Sequence, residues 1–178
     1  PLYIYLLSHN LGDKFLVERR GLQDDYLTSQ QLDLWLDKLP EKTPVTLIIE
    51  ACYSGNFINP RLSAPNRTII TSVSADKQAM IMRSSSFSRF FFDRIGANQT
   101  IERAFSQTKE WMDGLLAHQS QQPQIDVNGN GTANELLDLQ ALGDRRIPAD
   151  ISSLSLLPAF VQQVAAVTLE VGNNSHSV

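Results

Sequence analysis

Two residues able to do nucleophilic chemistry each follow an apolar run of the sequence: the single cysteine, Cys52, and a histidine, His9. A thiol and an imidazole that meet in space form the minimal thiol nucleophile arrangement, because the imidazole takes up the thiol proton and later protonates the leaving amine. The backbone N–H of Cys52 and one near His9 can then hold the oxyanion. Because a lone cysteine is more commonly a small buried hydrophobe, this chemistry requires elements that bring the two residues together.

Two predicted strands would do so. Residues 2–7 form one apolar run, and residues 45–50 are β-branched and apolar, the pattern of a strand that is buried on both faces. The Tyr-Ser-Gly-Asn sequence that follows Cys52 breaks the second strand. In open α/β sheets, ligands bind just beyond the carboxyl ends of the strands. The sequence therefore predicts a site at that edge, with His9 and Cys52 as neighbours.

The other periodicities predict an α/β domain with a mainly parallel sheet that is flanked by helices. Its further elements are a short strand or hairpin arm at 14–17, helices at 29–39, 87–95 and 100–116, a third strand at 67–72 and a short helical stretch at 136–142. Thr28 is the predicted N-cap of the first helix. Trp35 and Trp111 are expected in the core, where aromatic side chains bury large areas. Residues 117–125 are polar and are predicted to form a loop.

We divide the chain into a domain at residues 1–146 and a short β-rich extension, or the start of a second module, at residues 147–178. Alternating apolar residues around positions 166–171 indicate the strands expected in the extension. The chain begins at Pro1 rather than Met and enters a strand at once. We therefore expect a piece of a longer parent protein, whose neighbouring domains are its partners.

Composition narrows the class of protein. The 178 residues are 42% hydrophobic and 19% charged, which fits one globular domain of ordinary size. The net charge of −4 comes without a basic stripe, so we expect no nucleic-acid partner. No apolar run reaches the length of a membrane span, so we expect no membrane insertion. A single cysteine cannot form an internal disulfide, so the cysteine content does not indicate whether the protein works in an oxidising or a reducing compartment.

The motifs YLLSHN at residues 5–10 and IIEACYSG at residues 48–55 resemble those of the caspase-like cysteine peptidases. This group includes legumain, caspase, gingipain and clostripain, and the likeness is greatest to the bacterial legumain-like branch. Three further segments extend it more loosely to residues 2–143: RTIITSVSADKQA, SSSFSRFFFDRI and QPQIDVNGNGTANE. The resemblance implies a caspase-like fold and an endopeptidase that cleaves peptide or protein substrates through a thioester acyl-enzyme. It implies no cofactor for the chemistry, and it favours an extracellular or cell-envelope location.

The resemblance also assigns the reacting groups. It implies that Cys52 is the nucleophile, that His9 is the acid and base, and that the N–H groups of Cys52 and Asn10 form the oxyanion hole. The family has glycine where Asn10 stands; asparagine keeps the N–H and tolerates left-handed backbone conformations better than most residues. The family fold places a strand and a helix before the histidine strand, and we expect residues 1–146 to lack them.

For substrate binding, the resemblance points to Glu50. This residue lies two positions before Cys52, on the same face of a continuing strand. It matches the acid that helps to line the S1 pocket in the legumain branch, where it would receive a basic or an amide side chain. The other substrate-binding residues that the resemblance implies are Ser8, Ser72 and Asp76.

A separate pattern concerns a metal. Asp126, Asn128 and Asn130 place oxygens at alternate positions before a glycine, as in the front half of an EF-hand loop. Thr132 and Glu135 are the further candidate ligands, because a leucine stands at position 12 of the loop. A structural Ca²⁺ site is one interpretation, and a plain Asn-Gly turn is the other. Mg²⁺ fits less well, since it demands strict octahedral geometry.

Two other functions stay open at this point. One is a catalytically degenerate caspase-like domain that binds or scaffolds within a larger multidomain protein, which the asparagine at position 10 favours. The other is an unrelated α/β hydrolase or transferase that uses Cys52 on a small molecule. The reactivity of the thiol separates the first from a peptidase, and a panel of peptide substrates separates the second.

Overall fold

The computed structural model describes residues 1–20, 23–82, 85–118 and 120–148. Its strands, in chain order, are β1 (Leu2–Leu7), β2 (Asn10–Leu11), β3 (Lys14–Arg20), β4 (Gln23–Thr28), β5 (Val45–Glu50), β6 (Arg67–Thr71) and β7 (Gln124–Asp126). Its helices are α1 (Ser29–Leu36), α2 (Phe87–Gly96), α3 (Ile101–Asp113) and α4 (Leu136–Leu142), and a 3-10 turn spans Ser54–Phe57. These elements form a mixed α/β fold with a mostly parallel central sheet flanked by helices.

The central sheet has the strand order β1-β5-β6-β7. The first three strands are parallel to one another, and β7 runs antiparallel to β6. Leu7 pairs with Glu50 at the carboxyl ends of β1 and β5, and Ile49 pairs with Thr71 on β6. The mainly parallel sheet that the sequence predicts is therefore confirmed. We call the carboxyl ends of β1, β5 and β6 the carboxyl-end edge.

Two hydrophobic cores explain why β5 is apolar throughout. All six of its residues are buried. Leu47 and Ile49 pack in one core with side chains from β1, β3, β4 and α1, whereas Ile48 packs in a second core with side chains from α2 and α3. A strand that is covered on both faces carries apolar residues throughout instead of alternating apolar and polar ones. Strand β5 therefore lies in the middle of the fold, between the two cores.

The first helix begins directly after its predicted N-cap. Thr28 accepts a hydrogen bond from the Gln31 N–H and forms a capping box with that residue. α1 ends at Leu36, earlier than predicted, and a turn continues to Pro40. Trp35 is 53% exposed, contrary to expectation, because α1 turns the stripe formed by Ser29, Leu32 and Leu36 toward the core. Trp111 packs against the second core, as expected.

Two features are absent from the sequence predictions. Strands β2, β3 and β4 form a separate antiparallel sheet, which buries Phe15 and Leu27 against the first core. Only residues 14–17 of this sheet were expected to be a strand, because the segment QDDYLT is rich in polar residues that are uncommon in strands. The second feature is β7, whose three residues begin inside the predicted loop.

The loop after β7 packs tightly against residues 59–65. Asp126 is fully buried, and its carboxylate accepts hydrogen bonds from the Ser63 hydroxyl and from the N–H groups of Gly129 and Gly131. Gly129 has a φ of +74°, and a Cβ atom there would collide with the backbone of Ala64. The Gly-rich sequence is therefore required by close approach of two backbones as well as by backbone conformation.

The predicted division at residue 147 receives no test from the structure, because residues 149–178 lie outside the described part of the chain. The β-rich character of the extension accordingly stays a prediction. Within the described ranges, none of the helices combines the length and the apolar character that crossing a membrane requires.

We predict that Gly129→Ala lowers the free energy of unfolding by about 3 kcal/mol or more, since the added Cβ overlaps the Ala64 backbone in addition to the unfavourable φ. Gly143→Ala is the matched control. Gly143 has a φ of +50° and a ψ of −133° but open space around it, so its substitution costs only the backbone term, about 1–3 kcal/mol. Chemical denaturation of both variants measures the two losses, and equal losses would contradict the close-approach explanation.

Candidate active site

The loops that follow β1 and β5 meet at the carboxyl-end edge. The Asn10 side chain donates through Nδ2 to the carbonyl of Cys52 at 2.8 Å and to the carbonyl of Gly12 at 2.6 Å. The His9 carbonyl accepts from the Leu16 N–H at 2.9 Å, which holds the histidine backbone against β3. His9 is exposed and Cys52 is half-buried. The structure therefore places the loops that carry the two predicted residues side by side, with both residues accessible from solvent.

The backbone at Cys52 turns sharply away from the sheet. Tyr53 has a left-handed conformation, with φ of 58°, and its N–H donates to the Lys77 carbonyl at 2.7 Å. The loop after β6 is thereby joined to the loop after β5. The Sγ atom of Cys52 lies 3.9 Å from the Ala79 carbonyl oxygen, the distance of a weak S–H hydrogen bond. The thiol of Cys52, in the segment after β5, thus faces the segment after β6.

Glu50 is fully buried beneath this site, on the side of α2. One of its carboxylate oxygens, Oε2, accepts from the Tyr5 hydroxyl at 3.2 Å and from the Ser88 N–H in the first turn of α2 at 3.3 Å. The other, Oε1, is buried without a hydrogen-bond partner. Burial raises the pKa of Glu50, and the hydrogen bonds from Ser88 and Tyr5 oppose that rise. The carboxyl group is therefore a buried titratable group with one free acceptor.

The remaining predicted substrate residues have different surroundings. Ser72 continues the β5–β6 ladder through its N–H to the Ile49 carbonyl, and its hydroxyl is buried without a partner. Ser8 is half-buried next to His9. Asp76 is exposed; the Ser74 hydroxyl and then Lys77 bind its carboxylate and lower its pKa. Ser72 thus joins Glu50 at the carboxyl-end edge, whereas Asp76 is engaged within its own loop.

Buried polar atoms without partners concentrate at this edge. Six such side-chain atoms occur in the described residues, and four belong to this region: Asn10 Oδ1, Glu50 Oε1, Ser72 Oγ and Gln121 Nε2. Folded proteins pair nearly all of their buried polar groups, so a local cluster of unpaired ones requires an explanation. A bound ligand that supplies donors and acceptors is one such explanation, and it coincides with the location of His9 and Cys52.

Sequence reasoning missed two features of the site. The side chain of Asn10 joins the His9 loop to Cys52, whereas the sequence indicates a role only for its N–H. Gln121 and His118 contact the loop after β6: the Met80 N–H donates to Gln121 Oε1 at 3.0 Å, and Ser85 Oγ lies 2.9 Å from His118 Nε2. No local motif marks either residue, because the contacts join segments that are distant in sequence.

The predicted calcium loop is closed by its own hydrogen bonds. The Oδ1 atoms of Asn128 and Asn130 accept backbone N–H groups of the loop, and both Nδ2 atoms donate to Glu135 Oε2. Hydrogen bonds from Asn128 and then Asn130 lower the pKa of Glu135. No group of three or more His, Cys, Asp or Glu side chains with a metal-binding arrangement occurs in the described residues. As oriented, the amide nitrogens rather than their oxygens face Glu135, so binding a cation there would require both amides to turn over.

Because burial raises the pKa of Glu50, the folded state holds its proton more tightly than the unfolded state does. Stability from this group is therefore present at low pH and is lost as the pH rises above the unfolded value, about 4.3. We predict that the melting temperature of Glu50→Gln minus that of the wild type increases from about pH 4 to pH 8. Glu135→Gln is the control, because the pKa of Glu135 is lowered. A difference for Glu50→Gln that is constant with pH would contradict the buried ionisation.

Calcium binding by residues 126–135 stays a proposal, and the plain turn is its alternative. Binding to the folded state alone raises the melting temperature as ion concentration increases. We predict such an increase with Ca²⁺, a smaller one with Mg²⁺, and a reduced response to Ca²⁺ in Glu135→Gln. A melting temperature that is the same in Ca²⁺ and in a chelator would favour the Asn-Gly turn.

No protein-family model matches this chain, and no curated protein matches its sequence. Two kinds of observation therefore bear on the function. One is the pair of motifs around His9 and Cys52, and the other is the geometry at the carboxyl-end edge, where the buried polar atoms without partners are found.

Proposed function

We propose that the chain carries the catalytic site of a cysteine endopeptidase with a caspase-like fold, most similar to the legumain-like type. The observation that carries the proposal is that the loops of His9 and Cys52 meet beyond the carboxyl ends of adjacent parallel strands, where the Asn10 side chain is hydrogen-bonded to the Cys52 carbonyl. This is the edge at which α/β sheets bind their ligands. A thiol and an imidazole carried by neighbouring loops at such an edge would suit acyl transfer.

The proposed reaction has two stages. His9 takes the proton of the Cys52 thiol, the sulfur attacks the carbonyl carbon of the substrate, and the C–N bond breaks as His9 returns the proton to the leaving amine. The product of this stage is a thioester. A water molecule, deprotonated by His9, then attacks the thioester, and the thiol leaves with the proton. No redox partner is needed, because every proton that His9 accepts is returned.

The oxyanion in both stages would be held by the N–H groups of Cys52 and Asn10. The bond from the Leu16 N–H to the His9 carbonyl makes Asn10 and Phe15 a non-hydrogen-bonded pair of β2 and β3. The Asn10 N–H therefore points away from β3. Asparagine in place of the family's glycine keeps the donor that this role requires.

Specificity would come from Glu50 and Ser72. A basic or an amide side chain at the P1 position of the substrate supplies N–H donors, and these would complete the free acceptor on Glu50 Oε1. The Ser72 hydroxyl, also without a partner, would contact the substrate main chain. A cationic side chain would favour the ionised form of Glu50, against the effect of burial on its pKa.

The alternative of a degenerate binding domain has one observation in its favour. The Cys52 thiol contacts the Ala79 carbonyl, and a thiol proton that a carbonyl holds must be released before the sulfur attacks. Thiol reactivity therefore decides between an enzyme and a scaffold.

We predict that a peptidyl electrophile with arginine or asparagine at P1 labels Cys52, and that His9→Ala slows labelling by roughly 10²- to 10⁴-fold, the usual contribution of an acid and base. Asp13→Ala, a substitution at an exposed position in the adjacent turn, is the control and should label at the wild-type rate. Mass spectrometry of the labelled protein gives the rate constants. Equal rates for the wild type and His9→Ala would contradict the dyad and favour the binding domain.

A further inference from the structure

A buried hydrogen-bonded relay lies behind the loop that contacts Cys52. Gln121 and His118 are both fully buried. Gln121 Oε1 accepts from the Met80 N–H at 3.0 Å and lies 2.5 Å from His118 Nδ1, while His118 Nε2 lies 2.9 Å from Ser85 Oγ. We call Ser85, His118, Gln121 and the Met80 N–H the relay. It joins residues 80 and 85 of the loop to residues 118 and 121.

For a neutral His118, the chemistry of the groups determines the proton positions in the relay. A backbone N–H only donates, so the Gln121 atom that faces Met80 must be the oxygen. That oxygen only accepts, so His118 Nδ1 must carry a hydrogen. In the neutral imidazole, Nε2 is then the acceptor, and the Ser85 hydroxyl donates to it. The hydrogen bonds of the relay therefore run from the Ser85 hydroxyl to His118 and from His118 to Gln121, whose oxygen also accepts from the Met80 N–H.

The Met80 N–H and the Ala79 carbonyl belong to the same peptide group. This group is planar and rigid, so its two polar atoms point in opposite directions. The N–H is held by Gln121 Oε1 at 3.0 Å, and the carbonyl oxygen on the other side lies 3.9 Å from Cys52 Sγ. The orientation of the peptide that faces the thiol is therefore set by a side chain from a segment outside the loop.

We propose that Gln121 is a positioning residue for the nucleophile, which acts by holding the Ala79–Met80 peptide against the Cys52 thiol. The inference rests on the proposed function only in taking Cys52 as the reacting group. His118 orients the Gln121 amide through Nδ1, and Trp111 packs beside the imidazole. Without the acceptor at Gln121, the peptide is free to turn. The carbonyl then leaves the thiol, which is uncovered and loses its hydrogen-bond acceptor.

The test compares two substitutions at position 121. Gln121→Met has a similar length but lacks the acceptor, whereas Gln121→Glu keeps an acceptor for both the Met80 N–H and His118 Nδ1. Gln122→Met, at an exposed neighbouring position, is the matched control. Two quantities are measured in each protein: the rate of Cys52 alkylation by iodoacetamide, and the hydrogen exchange of the Met80 amide by NMR. Neither requires that the chain hydrolyse peptides, so a failure of the proposed function would be seen separately.

We expect Gln121→Met to alkylate faster than the wild type by roughly two- to ten-fold, the range that the loss of one hydrogen bond allows. Its Met80 amide should exchange faster as well. Gln121→Glu should restore both quantities toward the wild type, and Gln122→Met should change neither. This rescue distinguishes positioning from packing. If packing alone mattered, Gln121→Met should resemble the wild type more closely than Gln121→Glu, which buries a charge.

Two results would overturn the proposal. One is wild-type alkylation in Gln121→Met, and the other is a Gln121→Glu protein that behaves like Gln121→Met. Should Gln121→Met fail to fold, the wild-type protein decides, because the proposal requires its Met80 amide to be protected from exchange. A Met80 amide that exchanges as freely as the amides of exposed loops would contradict the proposal.

Discussion

Burial of β5 on both faces is the constraint on which the rest of the structure depends. Leu47 and Ile49 fill one core and Ile48 fills the other. Full burial of such a side chain contributes about 1.5–3 kcal/mol, more than the roughly 1 kcal/mol of a typical hydrogen bond. A slip of one residue would send each side chain to the wrong core. The register with β1 and β6 is therefore defined strongly, and so is the edge at which His9 and Cys52 leave the sheet.

Hydrogen bonds between segments then arrange the polar groups at that edge. The Asn10 side chain joins the segment after β1 to Cys52, and the Tyr53 N–H joins the segment after β5 to Lys77. Gln121 joins the segment after β6 to the segment that precedes β7. None of these contacts is strong enough to define the fold. Each instead orients a backbone group within an arrangement that the two cores have already established.

Several parts of the structure could be predicted because their causes are local. Strand β5 follows from a continuous apolar run, and α1 begins directly after its N-cap Thr28 because that residue accepts an N–H from the first turn. The hairpin strand β4 could not be predicted in this way. Its polar residues contradict strand propensity, and burial of Leu27 against the first core overrides that preference. The prediction that Trp35 lies in the core was wrong for a related reason. Helical spacing does not define how far a buried stripe extends around a helix.

The sequence by itself determined the mainly parallel sheet, the positions where its strands end and the identity of the two residues, His9 and Cys52, that follow two of those ends. The strands follow from the periodicity of apolar residues, and the strand ends follow from turn-forming residues close by in the sequence. Only the tertiary structure decided what surrounds them: the unpaired oxygen of Glu50, the bond from Asn10 to the Cys52 carbonyl and the contact of Gln121 with Met80. Those contacts join residues far apart in the chain, and their geometry exists only after both cores have packed.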